Sequence, residues 1–431
     1  MSKQAFIVEL LKHEVRPAIG CTEPVAIALA TAYATKALGE EPEELLVYLS
    51  KGIYKNAMDV GIPGTDKTGL DVAAALGAAL KDPGRELELL GDITDKTREK
   101  ADEYLSRIPI DVKVSDKESN VLVEVYAKGK NHQAHALIEG RHDRLTELSL
   151  DGESFPLPEM ESSKQAFSEE EYKEFYSSSI DELVTTIEAI PFEELQFLLD
   201  GLMMNKEVAK QGMDKPYGLG VGHSTHKNIE EGFISSDLSN LAYMLTAAAS
   251  DVRMSGERIS VMSSSGSGNN GLTAILPLAA LQEIKDLDDD TIVRALAMSH
   301  VITSYVKYYI GRLSNLCGCS IAASIGSGSA IAWALGGKDK VAPTINNIIA
   351  NQAGVICDGA KPGCALKLGT AAMTAVQAAL LTLQGTELED HNGLTDPLPE
   401  RSIQNLATLS SYGMGKVDLT IIDIMKNRKN G

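Results

Sequence analysis

Four segments, IDVKVSD (110–116), NVLVEVYAKG (120–129), NHQAHALIEG (131–140) and RLTELSLDG (144–152), alternate apolar and polar residues with a period close to two. Gly, Asn, Asp and Ser separate them. The pattern predicts short strands of one sheet, because successive side chains of a strand point to opposite faces. A helical stretch, DKTREKADEYLSRI (95–108), precedes the strands. The character of the chain changes at Asp82-Pro83-Gly84, and Pro156 and Pro158 mark the exit. Residues 83–157 are therefore expected to form a small inserted α/β domain.

Outward from this insert the chain reads as helical. Residues 4–16 place Phe6, Ile7, Leu10, Leu11 and Val15 on one helix face. The loop RPAIGCTEP (16–24) follows, with Thr22 expected as the cap, Glu23 in the first turn and Pro24 at an early helical position. The helix then runs to Gly39, and ELLVYLSKGIYKNA (44–57) reads as a strand. After residue 160 helical spacing dominates, for example in FEELQFLLDGLMMNKEVAKQG (192–212) and TIVRALAMSHVITSYVKYYIGRL (291–313). The expected fold class is α+β: a predominantly helical catalytic domain, residues 1–82 and 158–431, interrupted by the α/β domain at 83–157.

With 431 residues, 44% hydrophobic, the chain has material for a large core. Its formal net charge is −20 and its pI about 4.9. An acidic surface repels phosphate backbones, so nucleic acid is not an expected partner. The N-terminus lacks the apolar run and cleavage site of a signal peptide. The apolar stretch IAASIGSGSAIAWAL (321–335) is shorter than the ~20 residues that span a bilayer. The expectation is a cytoplasmic protein with no membrane partner; a homodimer is the base-rate expectation for assembly.

Five cysteines in a reducing compartment are buried hydrophobes, reactive thiols or metal ligands. Cys317, Cys319, Cys357 and Cys364 fall within 48 residues, in glycine-rich turns ahead of small-residue helices; Cys21 lies in the first interhelical loop. Zinc is disfavoured. One residue separates Cys317 from Cys319 and six separate Cys357 from Cys364, neither being a zinc-knuckle spacing. Cys317, Cys357 and Cys364 suit three corners of a [4Fe–4S] cube, with Cys319 as rival to Cys317. Four buried free thiols remain the alternative that spacing leaves open.

Five motifs carry a resemblance that spacing does not: RPAIGCTEPVAIALA (16–30), YKNAMDVGIPGT (54–65), SGSGNNGLTAILP (265–277), LCGCSIAASIG (316–326) and CDGAKPGCALK (357–367). Taken together, over essentially the whole chain, the sequence resembles the L-cysteine desulfidase family, which is related to iron–sulfur L-serine dehydratases. The resemblance implies β-elimination on L-cysteine to pyruvate, ammonia and hydrogen sulfide. It implies that Cys317, Cys357 and Cys364 ligate a [4Fe–4S] cluster and that Cys21 accepts the proton.

That chemistry asks for three things of the residues. Cys21 needs a lowered pKa, expected from the helix N-terminus after it, and a cation to offset Glu23; Arg16 and Lys55 are the candidates. The substrate carboxylate needs free donors, which SSSGSGNNG (263–271) offers through Ser265, Ser267, Asn269 and Asn270 ahead of an apolar helix. DVGIPGT (59–65) is a second loop of this kind. The rival readings are an L-serine dehydratase and a redox-sensing or ligand-binding protein without turnover.

Overall fold

The computed structural model describes residues 1–158, 167–389 and 392–428. It is α+β and mostly helical, as the periodicities predict. The four alternating segments are strands Ile110–Val114, Leu122–Lys128, Gln133–Glu139 and Leu145–Leu150. They belong to a six-stranded sheet that also takes Glu44–Leu49 and the short Glu153–Ser154.

Glu44–Leu49 lies inside this sheet. It runs parallel to Ile110–Val114, with Leu45 opposite Ile110, and antiparallel to Leu122–Lys128, with Val47 opposite Val125. The expected strand over 44–57 ends at Leu49. From Lys51 to Ala57 the chain is helical, because Ser50 leaves the sheet and its hydroxyl donates to the Asn120 carbonyl at 3.1 Å.

The sheet is covered by Thr22–Leu38 and Leu70–Leu80, two helices so apolar that most of their residues are buried. They meet at Gly77, where a Cβ would stand 2.2 Å from the Ala28 carbonyl oxygen. One apolar cluster thus runs from Val25 through Leu145 and collects Ile421, Ile422 and Met425 from the last helix, Val417–Arg428.

A second, larger cluster combines the first helix, Lys3–Glu14, with residues from Phe167 to Leu406. Its centre is Gly318–Gly336, packed against Asp289–Ile310, Gly268–Lys285 and Cys364–Leu383. Gly318–Gly336 is continuous, although its Ser and Gly residues suggest a break. Gly326 abuts the Ser299 carbonyl and the Thr303 hydroxyl, so only a residue without a side chain allows that approach. Two helices, Gly318–Gly336 and Cys364–Leu383, have the length and apolarity to cross a membrane; both are mostly buried within the protein.

The two clusters are joined by a small antiparallel ribbon. Pro17–Ile19 pairs with Ser260–Met262, Ala18 lying opposite Val261. The ribbon delivers two loops, one after Ile19 and one after Met262, to the same place.

Candidate active site

All five cysteines line one cavity of about 90 Å³ between the two clusters. Local backbone structure explains the convergence. Cys21 is the N-cap of Thr22–Leu38, with Thr22 already helical, which corrects the expected cap by one residue. Cys317 caps Gly318–Gly336, and Cys364 opens Cys364–Leu383. Three helix N-termini therefore point at the cavity, and their partial positive charge favours thiolates there.

Cys317 and Cys357 are tied by an isolated bridge between Leu316 and Ile356. Cys317 N donates to the Val355 carbonyl at 2.9 Å and Cys357 N to the Asn315 carbonyl at 2.8 Å. The loop from Cys357 to Cys364 is held from outside. Lys55 Nζ donates to the Cys357 carbonyl at 2.7 Å and pairs with Asp418 at 2.5 Å, while Asp358 is bridged by Lys361 and Lys367. Gly359 has φ +94, and a Cβ there would stand 2.7 Å from the Lys55 carbonyl oxygen, so this turn requires glycine.

The thiols differ in their electrostatics. A hydrogen bond from Cys319, helped by one from Ser320, holds Cys317 below the usual thiol range despite its burial. The same pairing drives Cys319 up. Burial raises Cys357, and it takes Cys364 to about 12. Lys307 lies beside this turn; burial lowers its ammonium to about 8 and the neighbouring thiols oppose that fall.

Among the described residues no three His, Cys, Asp or Glu side chains converge tightly enough for a single metal ion. The donor set nevertheless fits an iron–sulfur cluster. Glu23, His142 and Asp358 also line the cavity, but its most numerous metal-binding side chains are soft thiols, the donors that iron–sulfur clusters take.

Cys21 does not behave as its position at a helix start suggests. Burial pushes its thiol up to about 11, partly offset by Arg253. Arg253 is the cation that offsets Glu23, in place of the expected Arg16 and Lys55. Arg16 Nε turns away to the Lys12 carbonyl, and Lys55 is committed to Asp418. Arg253 is 4% exposed and donates to the Gly20 carbonyl at 2.6 Å and to Asn269 Oδ1 at 2.8 Å.

The 263–271 loop reaches the cavity with all four expected residues, and they divide the work. Ser267 caps Gly268–Lys285 and Asn269 holds Arg253. Ser265 Oγ and Asn270 Nδ2 are buried and have no hydrogen-bond partner among the described residues. Arg253 Nε is in the same condition. Buried polar groups are rarely left unpaired, because each costs about 1–3 kcal/mol. These three unpaired donors line one small cavity, where a polar ligand could pair with them. The loop at 59–65 does not line the cavity.

Sequence reasoning missed Arg253 and His142. Gly268 carries a faint signal for the first, since a Cβ there would stand 2.4 Å from Arg253 Nε. A larger cavity of about 680 Å³ shares Ser265, Lys307 and Arg312 with the cysteine cavity and leads outward past Tyr172, Tyr176 and Tyr308.

The family described as serine dehydratase alpha chain matches residues 85–423. The chain belongs to that family. Full-length relatives extend the likeness to both ends. A UPF0597 protein of Clostridioides difficile is 44% identical over 423 residues, covering 97% of this chain and 99% of the relative. One from Alkaliphilus oremlandii is 41% identical over 430 residues, with 99% of each chain covered. One from Clostridium tetani is 35% identical over the whole of both chains. The four clustered cysteines fall inside the family match and Cys21 outside it.

Proposed function

We propose that this member of the serine dehydratase alpha chain family is an iron–sulfur lyase that converts L-cysteine and water to pyruvate, ammonia and hydrogen sulfide. The observation that carries the reading is the meeting of all five cysteines at one small cavity ringed by unpartnered donors. Cys317, Cys357 and Cys364 would hold a [4Fe–4S] cluster. Cys317 is preferred over Cys319 because the Leu316–Ile356 bridge and its flanking backbone hydrogen bonds tie it directly to Cys357. When bound, the cluster supplies a Lewis-acidic iron to the departing β-substituent.

The chain's own residues do the rest. Ser265 Oγ, Asn270 Nδ2 and Arg253 Nε, with the start of Gly268–Lys285, receive the substrate carboxylate. The Cys21 thiolate takes the Cα proton. That electron pair forms the Cα–Cβ double bond, the Cβ–S bond breaks, and sulfide leaves with its electrons. The resulting aminoacrylate tautomerises and is hydrolysed to pyruvate and ammonia. The high pKa of Cys21 makes its thiolate a strong base once formed, and Arg253 limits the cost of forming it.

A second reading is L-serine dehydratase, favoured by the description of the matching family. The same residues apply, with hydroxide as leaving group. The test is anaerobic reconstitution with iron and sulfide, followed by pyruvate and sulfide measurement on each amino acid. Pyruvate with stoichiometric sulfide from L-cysteine is the expected result. Turnover of L-serine alone selects the second reading, and protein that assembles no cluster sinks both.

A further inference from the structure

Among the described residues, His142 is the one unpartnered polar group at this cavity that comes from the sheet. It sits in the turn between Gln133–Glu139 and Leu145–Leu150, which a two-point ion pair fixes: Arg141 donates from Nε and a terminal nitrogen to the two Asp143 oxygens at 3.1 and 3.0 Å. The ring is 8% exposed and its Nε2 is buried without a partner. Burial lowers its pKa, with Glu23 opposing, so the ring enters the cavity neutral and able to accept a hydrogen bond. Glu23 lines the same cavity and receives Asn56 Nδ2 at 2.9 Å on one of its oxygens and the Thr22 hydroxyl, at a longer 3.4 Å, on the other.

An amino acid is a zwitterion, and the cavity has two chemical sides to match. The helical unit contributes Arg253, Ser265 and Asn270, which can donate to a carboxylate. The sheet and the helix Thr22–Leu38 that covers it contribute His142 and Glu23, which accept. We infer that His142 Nε2, together with Glu23, receives the substrate's α-ammonium group and so makes the site selective for α-amino acids over the same acids without an amino group. This rests on the proposed amino-acid elimination and adds to it the group that reads the nitrogen.

The test compares L-cysteine with 3-mercaptopropionate, which keeps the thiol and carboxylate and lacks the ammonium. On anaerobically reconstituted protein, the KM for L-cysteine and the inhibition constant of 3-mercaptopropionate are measured for wild type, His142→Leu, His142→Gln and Glu23→Gln. Calorimetric titration of 3-mercaptopropionate and of D-cysteine supplies a readout separate from turnover. His142→Leu is expected to weaken L-cysteine and D-cysteine by about tenfold or more, the loss of one buried hydrogen bond to a charged group, while 3-mercaptopropionate stays within about twofold. His142→Gln keeps an acceptor and recovers part of the difference. Equal weakening of all three ligands, or no change in any, overturns the inference and leaves the elimination reading standing. Wild-type protein that binds none of the three overturns both.

Discussion

The two halves of the cavity are built on different principles. The helical side offers soft ligands and a cap from helix starts, Cys317, Cys364 and Ser267, and the Arg253 fork from a helix end. These atoms are fixed by backbone geometry inside a dense core of Ala, Ser and Gly. The sheet side offers acceptors and the proposed base: Cys21 and Glu23 at the start of a helix that covers the sheet, and His142 in a turn between two of its strands. In the proposed reaction one side holds the cluster and the carboxylate, and the other takes the proton. The difference predicts that damage to each side fails differently.

The largest effect is expected on the helical side. Cys357→Ala or Cys364→Ala should lose cluster iron and sulfide and fall to background activity, read by metal analysis of anaerobic protein. On the opposite side, Cys21→Ser should keep its iron and its fold yet lose about 10²–10⁴-fold in kcat, the usual worth of a positioned base. If Cys21→Ser also loses iron, the division of labour is wrong.

A smaller effect sharpens the link between the sides. Cys21 must be deprotonated to act as a base, and burial holds its thiol near 11, so kcat/KM should climb with pH through the neutral and mildly alkaline range. Arg253→Met removes the cation that stabilises the thiolate. The thiol then titrates higher, and the rising limb should move to higher pH by about one unit, costing about tenfold at a fixed pH on that limb. A profile that stays in place would separate Arg253 from Cys21.

The smallest effect is one of stability. Lys55→Met leaves Asp418 without the partner it meets at 2.5 Å. It should cost about 2–3 kcal/mol in chemical denaturation, less than a fully buried pair because Asp418 is partly exposed. A change below about 0.5 kcal/mol, the size of an ordinary surface substitution, would remove the pair as the anchor of the Cys357–Cys364 loop.

Much of this was legible from local pattern. Alternation marks the strands from Ile110 to Leu150, because each buries one face. The small-residue helices after Cys317 and Cys364 follow from their composition. The site loops at 21–24 and 263–271 were visible as caps and glycine turns, though Cys21 caps where Thr22 was expected. What was not legible depends on pairings distant in sequence. Glu44–Leu49 enters the sheet between two later strands, and alternation does not encode a neighbour. Arg253 ends a helix and reads as an ordinary charge near a C-terminus. Its role appears only when the ribbon of Pro17–Ile19 and Ser260–Met262 brings Gly20 and Asn269 to it. His142 sits in a charged turn, RHDR, that by pattern belongs at the surface.

The chain ends are exchanged between the two cores. The first helix, Lys3–Glu14, packs among helices from the second half of the chain, whereas the last helix, Val417–Arg428, returns to the sheet and grips Lys55. The larger core therefore joins the first helix to residues as late as Leu406, the sheet core waits for Met425, and the loop bearing Cys357 gains its outer brace only when Asp418 arrives. A chain cut ahead of Asp418 would present Cys357 on a turn without that outer brace.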